Sequence, residues 1–76
     1  MTPIQEFIFN HIVKNQPICD KCLATLLGFN HSQQANTICR ELRDLKLIIR
    51  PKRKCPKCNR NVLVNLETYG KNQQSS

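Results

Sequence analysis

The sequence has no tryptophan, two glycines and five acidic residues. No apolar run approaches the ~20 residues that a bilayer-crossing helix needs, so no membrane partner is expected. The opening Met-Thr-Pro-Ile-Gln-Glu-Phe carries no basic stretch ahead of an apolar one, so no secretory leader is expected either. The acids, Glu6, Asp20, Glu41, Asp44 and Glu67, form no pair suited to proton transfer. With two glycines there is no Gly-rich phosphate loop. Neither a catalytic constellation nor a small-molecule substrate is indicated, and the chain is read as not an enzyme.

Cysteine and positive charge are what the chain has in quantity. Five cysteines fall in 76 residues, a length with room for one modest core that often needs a staple. Four of them form two Cys-x-x-Cys pairs, Cys19 with Cys22 and Cys55 with Cys58. That spacing lets two thiolates take adjacent corners of a tetrahedron, and the odd total argues against a disulfide framework. A structural Zn²⁺ on these four thiolates is expected, in a cytoplasmic protein with reduced thiols. Four thiolates leave zinc no open position for water. A redox Cys-x-x-Cys at the start of a helix is the rival reading for Cys19 and Cys22, but it leaves Cys55 and Cys58 unexplained. Cys39 falls on an apolar helix face and is read as a small hydrophobe; whether it replaces one of the four ligands is open at this stage.

The formal charge is +7. Binding one Zn²⁺ with four thiolates adds a net −2 and leaves about +5. The cations cluster as Arg50-Pro51-Lys52-Arg53-Lys54 followed by Lys57 and Arg60, a stripe that points to a polyanion, most often nucleic acid.

The pattern along the chain is helical first and extended later. Thr2, Pro3 and Gln5 form a helix start, with Thr2 as cap and Gln5 returning the bond. The helix is predicted to run to about Lys14, burying Ile4, Phe7, Ile8, His11 and Ile12 on one face ~140° wide. Phe9 and Val13 lie outside that stripe, over a second part of the core or a dimer contact. Pro17 extends the chain before it. A second helix begins near Cys19 or Asp20, buries Leu23, Leu26 and Leu27, and stops at Gly28. Phe29 packs inward. Asn30, with Gln33, is the expected cap of a third helix over 31–45, whose apolar positions are Ala35, Ile38, Cys39, Leu42 and Leu45. Two strands follow, 47–50 and 62–66, joined by a basic hairpin holding Cys55 and Cys58. Pro51 keeps the first of them short, bulged or at an edge. A domain over 1–67 and a disordered polar tail over 68–76 complete the reading.

This α+β order, with Cys22-Leu-Ala-Thr-Leu-Leu-Gly28-Phe29 as first helix and turn and Ala35, Cys39 and Leu42 leading into Leu47-Ile48, resembles a winged helix-turn-helix domain over residues 4 to about 67. Cysteine pairs depart from that pattern, as does a turn before the third helix that is one residue longer than usual. The resemblance implies three helices and a short β-hairpin wing stapled by zinc. It also implies antiparallel pairing of a short strand around Ile18 with the second wing strand, which brings Cys19 and Cys22 toward Cys55 and Cys58. It further implies transcription-regulator-like binding of double-stranded DNA. Ser32, Gln33, Gln34, Asn36, Thr37 and Arg40 would face the major groove, Arg43 a phosphate, and Lys52, Arg53, Lys54, Lys57 and Arg60 the backbone or minor groove. A domain this small reads few base pairs, which points to a homodimer or a larger protein partner. Two rivals stand beside it: a zinc-stapled protein-interaction module docking through Phe9 and Val13, and a metal- or redox-responsive regulator. RNA ranks below DNA, because Phe7, Phe9, Phe29 and Tyr69 form no stacking surface.

Overall fold

The capped start foreseen at Thr2 opens helix α1, Pro3–Asn15, in the computed structural model of the chain, which describes residues 1–68. The Thr2 hydroxyl accepts from the Gln5 amide at 3.2 Å, and the Gln5 side chain accepts from the Thr2 amide at 2.9 Å. β1 (Ile18–Cys19), α2 (Asp20–Leu27), α3 (Ser32–Asp44), β2 (Ile48–Ile49), β3 (Lys52–Lys54) and β4 (Asn61–Glu67) follow. Among the described residues the result is a small α+β domain of three helices and a four-stranded antiparallel sheet.

β4 organises the sheet. One edge pairs with β1, setting Ile18 opposite Asn65 and Cys19 opposite Val64; the other pairs with β2 and then β3, setting Ile49 opposite Leu66 and Lys52 opposite Leu63. The strand expected over 47–50 is only the two-residue β2, and a further strand that was not expected, β3, begins beyond Pro51 in the basic stretch taken for the hairpin loop. Proline has no N–H to give a ladder, but its carbonyl accepts from the Val64 amide at 3.0 Å and carries the pairing across the gap.

The main core holds Ile8, Ile12, Ile18, Leu23, Ala24, Ala35, Cys39, Leu42 and Ile48. Its position on α1 differs from the expected stripe. Ile8 and Ile12 are buried, whereas Ile4 and Phe7 are 44% and 48% exposed, and Phe9 packs against the core instead. At 100° per residue, the buried arc is turned by roughly 60° from Phe7 toward Phe9. A single helix with apolar residues on more than half its circumference does not reveal which arc α3 and β4 will cover. His11 is half-buried, its ring 4.6 Å from that of Phe7 and its Nδ1 2.9 Å from the Phe7 carbonyl.

Leu26 and Leu45 are also corrections, at half-exposed positions where burial was expected; Ala24 takes the core place on α2. Gly28 ends α2 with φ of +76°, the left-handed conformation that side chains disfavour. Lys46 ends α3 in the same region with φ of +65°, a role the sequence does not advertise. The cap of α3 is His31 rather than Asn30, and it makes no side-chain capping bond. Thr68, placed in the polar tail by the sequence, is tied to the β2 approach: its amide donates to the Leu47 carbonyl and its hydroxyl to that of Lys46. The rest of the expected tail lies outside the described residues.

Candidate metal centre

Two tight turns carry the four cysteines. Cys19 is both the last residue of β1 and the cap of α2, and its sulfur accepts from the Cys22 amide at 3.4 Å. Cys55 to Cys58 form the turn between β3 and β4. This turn is closed by the Cys55 amide donating to the Arg60 carbonyl at 2.8 Å and the Asn59 amide to the Cys55 carbonyl at 2.6 Å. Because β1 runs antiparallel to β4, the end of β1 lies beside the chain entering β4. The two turns therefore face each other although 23–54 separates them in sequence.

All four sulfurs lie within 4.8 Å of one another, with Cys19 and Cys58 at 3.8 Å and Cys22 and Cys55 at 3.9 Å. A tetrahedron of thiolates around one ion with metal–sulfur bonds of about 2.3 Å has sulfur–sulfur edges of about 3.8 Å. The donor set thus fits a single tetrahedral metal ion. Cys19 and Cys55 are buried, while Cys22 and Cys58 are half-buried. Val64 and Val62 provide the apolar packing around them.

The thiols differ in acidity before a cation is considered. Burial pushes Cys19 and Cys22 up, with neighbouring thiols adding to the effect at Cys22. On Cys55 burial also pushes upward, but backbone N–H groups outweigh it and hold the thiol below its usual range. The Arg60 side chain and backbone bring Cys58 down to about 6. The hairpin turn is thus readily anionic and the α2 turn is not, although a helix start generally favours a thiolate. A divalent ion reverses the balance by stabilising all four thiolates together.

Cys39 is separate. It is fully buried in the helical core, and burial together with nearby Asp20 raises its thiol to about 12. A thiol so protonated and enclosed should resist alkylation near neutral pH. Iodoacetamide labelling of the folded, metal-loaded protein should leave Cys39 unmodified by mass spectrometry, and rapid labelling there would contradict this placement.

A buried polar network anchors the first turn. Asp20, between Cys19 and Cys22, accepts from Asn36 of α3 at 2.7 Å, from Asn65 of β4 at 2.9 Å and from the Arg50 guanidinium. Asn65 is fully buried; it also donates to the Ile18 carbonyl and accepts from Arg50 at 3.1 Å. Arg50, counted in the basic stripe from sequence, is therefore turned inward. The network was missed at the sequence level, where its one visible signal is a polar Asn65 inside Val62-Leu63-Val64-Asn65-Leu66.

Ser32, Gln33, Gln34, Thr37 and Arg40 are exposed on α3, with the Thr37 hydroxyl donating to the Gln33 carbonyl; Asn36 is half-buried against Asp20. Arg43 pairs with Asp44 at 3.2 Å on the surface. Lys52, Arg53 and Lys54 form exposed β3, and Lys57 and Arg60 are exposed on and beside the second cysteine turn.

Fold and site together define a small α+β domain whose four clustered cysteines can hold a metal ion. No family model matches the chain, nor does any curated protein or solved structure. Among the described residues no helix is long and apolar enough to cross a membrane.

Proposed function

We propose that the chain is a zinc-stapled winged helix-turn-helix domain that binds double-stranded DNA, with α3 entering the major groove and the β3–β4 hairpin as its wing. The observation that carries the reading is the outward face of α3, where Gln33, Gln34, Thr37 and Arg40 are exposed, together with the three exposed cations of β3 in the hairpin. Gln and Arg have the donor geometry to read adenine and guanine edges. Asn36 has its amide engaged by Asp20 and serves the fold before any base. The element order and the pairing of β1 with β4 fit the same reading. Zinc is proposed because two Cys-x-x-Cys pairs with sulfurs at tetrahedral spacing are its usual structural site, and such a closed site gives no reason to assign catalysis.

Fluorescence anisotropy with labelled duplex DNA tests the binding. Affinity should fall steeply with salt, since several phosphates are contacted and counterions are released. Gln34→Ala and Arg40→Ala should each weaken discrimination between sequences by about 1–3 kcal/mol. Absence of duplex binding at low salt, or binding indifferent to salt, would overturn the reading. Elemental analysis tests the metal: one zinc per chain is expected, and iron in its place would refute the assignment.

A second reading, docking onto a protein or a second copy, is favoured by one observation: Ile4 and Phe7 leave an apolar strip of α1 uncovered. The Phe9 and Val13 face considered from sequence is less suited to this, since Phe9 packs on the core. Ile4→Ser and Phe7→Ser should abolish such docking and leave DNA affinity unchanged.

A further inference from the structure

The two cysteine turns share more than their sulfurs. Each reads Cys-x-Lys-Cys, Cys19-Asp20-Lys21-Cys22 and Cys55-Pro56-Lys57-Cys58, so each places a lysine just ahead of its second ligand. Once β1 and β4 have brought the turns together, Lys21 and Lys57 line one groove of about 380 Å³ with Arg60, Ile18 and Leu26. Lys21 and Arg60 also line a neighbouring concavity together with Ser32, the first residue of α3. No acid lines the groove. The single acid lining the concavity is Asp20, which is already bonded to Arg50, Asn36 and Asn65.

Resting on the DNA reading above, we propose that the paired metal turns form a phosphate clamp, in which Lys21 and Lys57, with Arg60 beside them, hold the DNA backbone next to the first turn of α3. Backbone contacts fix the register of a reading helix on the duplex without carrying sequence information. They work best from rigid supports. A lysine in a turn pinned by a metal ion and by Asp20 meets a phosphate with less freedom to lose than one on a free loop. Lys21 was not among the residues singled out from sequence, because it lies far along the chain from the basic stripe it joins in space.

A different role for the same lysines would be to offset the net −2 of a divalent ion with four thiolates. The two roles separate experimentally. Lys21→Ala and Lys57→Ala are each made in the full chain and loaded with zinc. Duplex affinity is measured across a salt series, and zinc retention by competition with a chelating dye. The clamp predicts that each substitution reduces the slope of log affinity against log salt by about one, with equal weakening on all sequences and zinc affinity unchanged. Lys21→Arg should keep the wild-type slope. Unchanged slopes in both alanine variants, or DNA loss that follows zinc loss, overturn the clamp while leaving the DNA reading intact. A wild-type protein that binds no duplex at low salt overturns both.

Discussion

Stripping the metal from the cysteine cluster is expected to unfold the domain: helical circular dichroism at 222 nm should collapse on adding a strong chelator and return on adding zinc. Of the two buried clusters, the one around the sulfurs contains only Val64 besides Cys19 and Cys55. Without a cation, four thiols within 4.8 Å of one another supply little cohesion, and the two that ionise most easily, Cys55 and Cys58, repel each other. Structural zinc contributes on the order of 10–16 kcal/mol in small zinc domains, comparable to or larger than the ~5–15 kcal/mol stability of a typical domain. Loss of the turns also frees β4, the strand to which β1, β2 and β3 all pair. Cys55→Ser, at the fully buried ligand, should behave like chelation. If helicity survives metal removal, the nine-residue main core, seven of whose residues are on helices, stands alone, and a metal-responsive regulator becomes the better account.

The second large effect should come from Asp20→Ala. The Arg50 side chain is 4% exposed and Asp20 17%, so removing the carboxylate strands a buried guanidinium and leaves Asn36 and Asn65 each short of an acceptor. Breaking a buried pair from one side costs about 3–5 kcal/mol, and at about 4–8 °C per kcal/mol for a domain of this size the melting temperature should fall by on the order of 12–40 °C. Arg50→Met should cost less. Asp20 then keeps its two amide donors and some contact with water, while the methionine fills most of the arginine's volume. The double variant should recover part of the loss of Asp20→Ala. A melting temperature within a few degrees of wild type for Asp20→Ala would show that the network holds little of the fold together.

This network also links the metal turn to the helix proposed to read DNA. Asp20 lies in the chain between two of the clustered cysteines and is hydrogen-bonded to Asn36, in the second turn of α3. The same carboxylate therefore sets the position of the cysteine turn, of α3 and of the Arg50 approach to β3. A change at Asp20 should lower DNA affinity even where the protein still folds, because Gln33, Gln34 and Arg40 are carried by the element it holds.

Much was legible from sequence because it depends on neighbours along the chain. The capping pair of Thr2 and Gln5, the stop at Gly28, the break at Pro51 and the two Cys-x-x-Cys turns are local chemistry, where a residue's type and spacing leave few alternatives. The α+β order followed from the change of hydrophobic period after Lys46. What sequence could not decide was which side of an element would be covered. Ile4 and Phe7 are as apolar as Ile8 and Ile12, and only the packing of α3 and β4 against α1 left the first two in water. Arg50 looked like one more cation in a stripe. It is buried because Asp20 and Asn65, distant in sequence, meet it across β1 and β4. Lys21 makes the opposite journey, from an isolated position into the cationic groove with Lys57 and Arg60. The sulfur pairs themselves show both halves: spacing alone marked each as a candidate metal-binding turn, but the antiparallel register of Cys19 against Val64 brought the four sulfurs within 4.8 Å of one another.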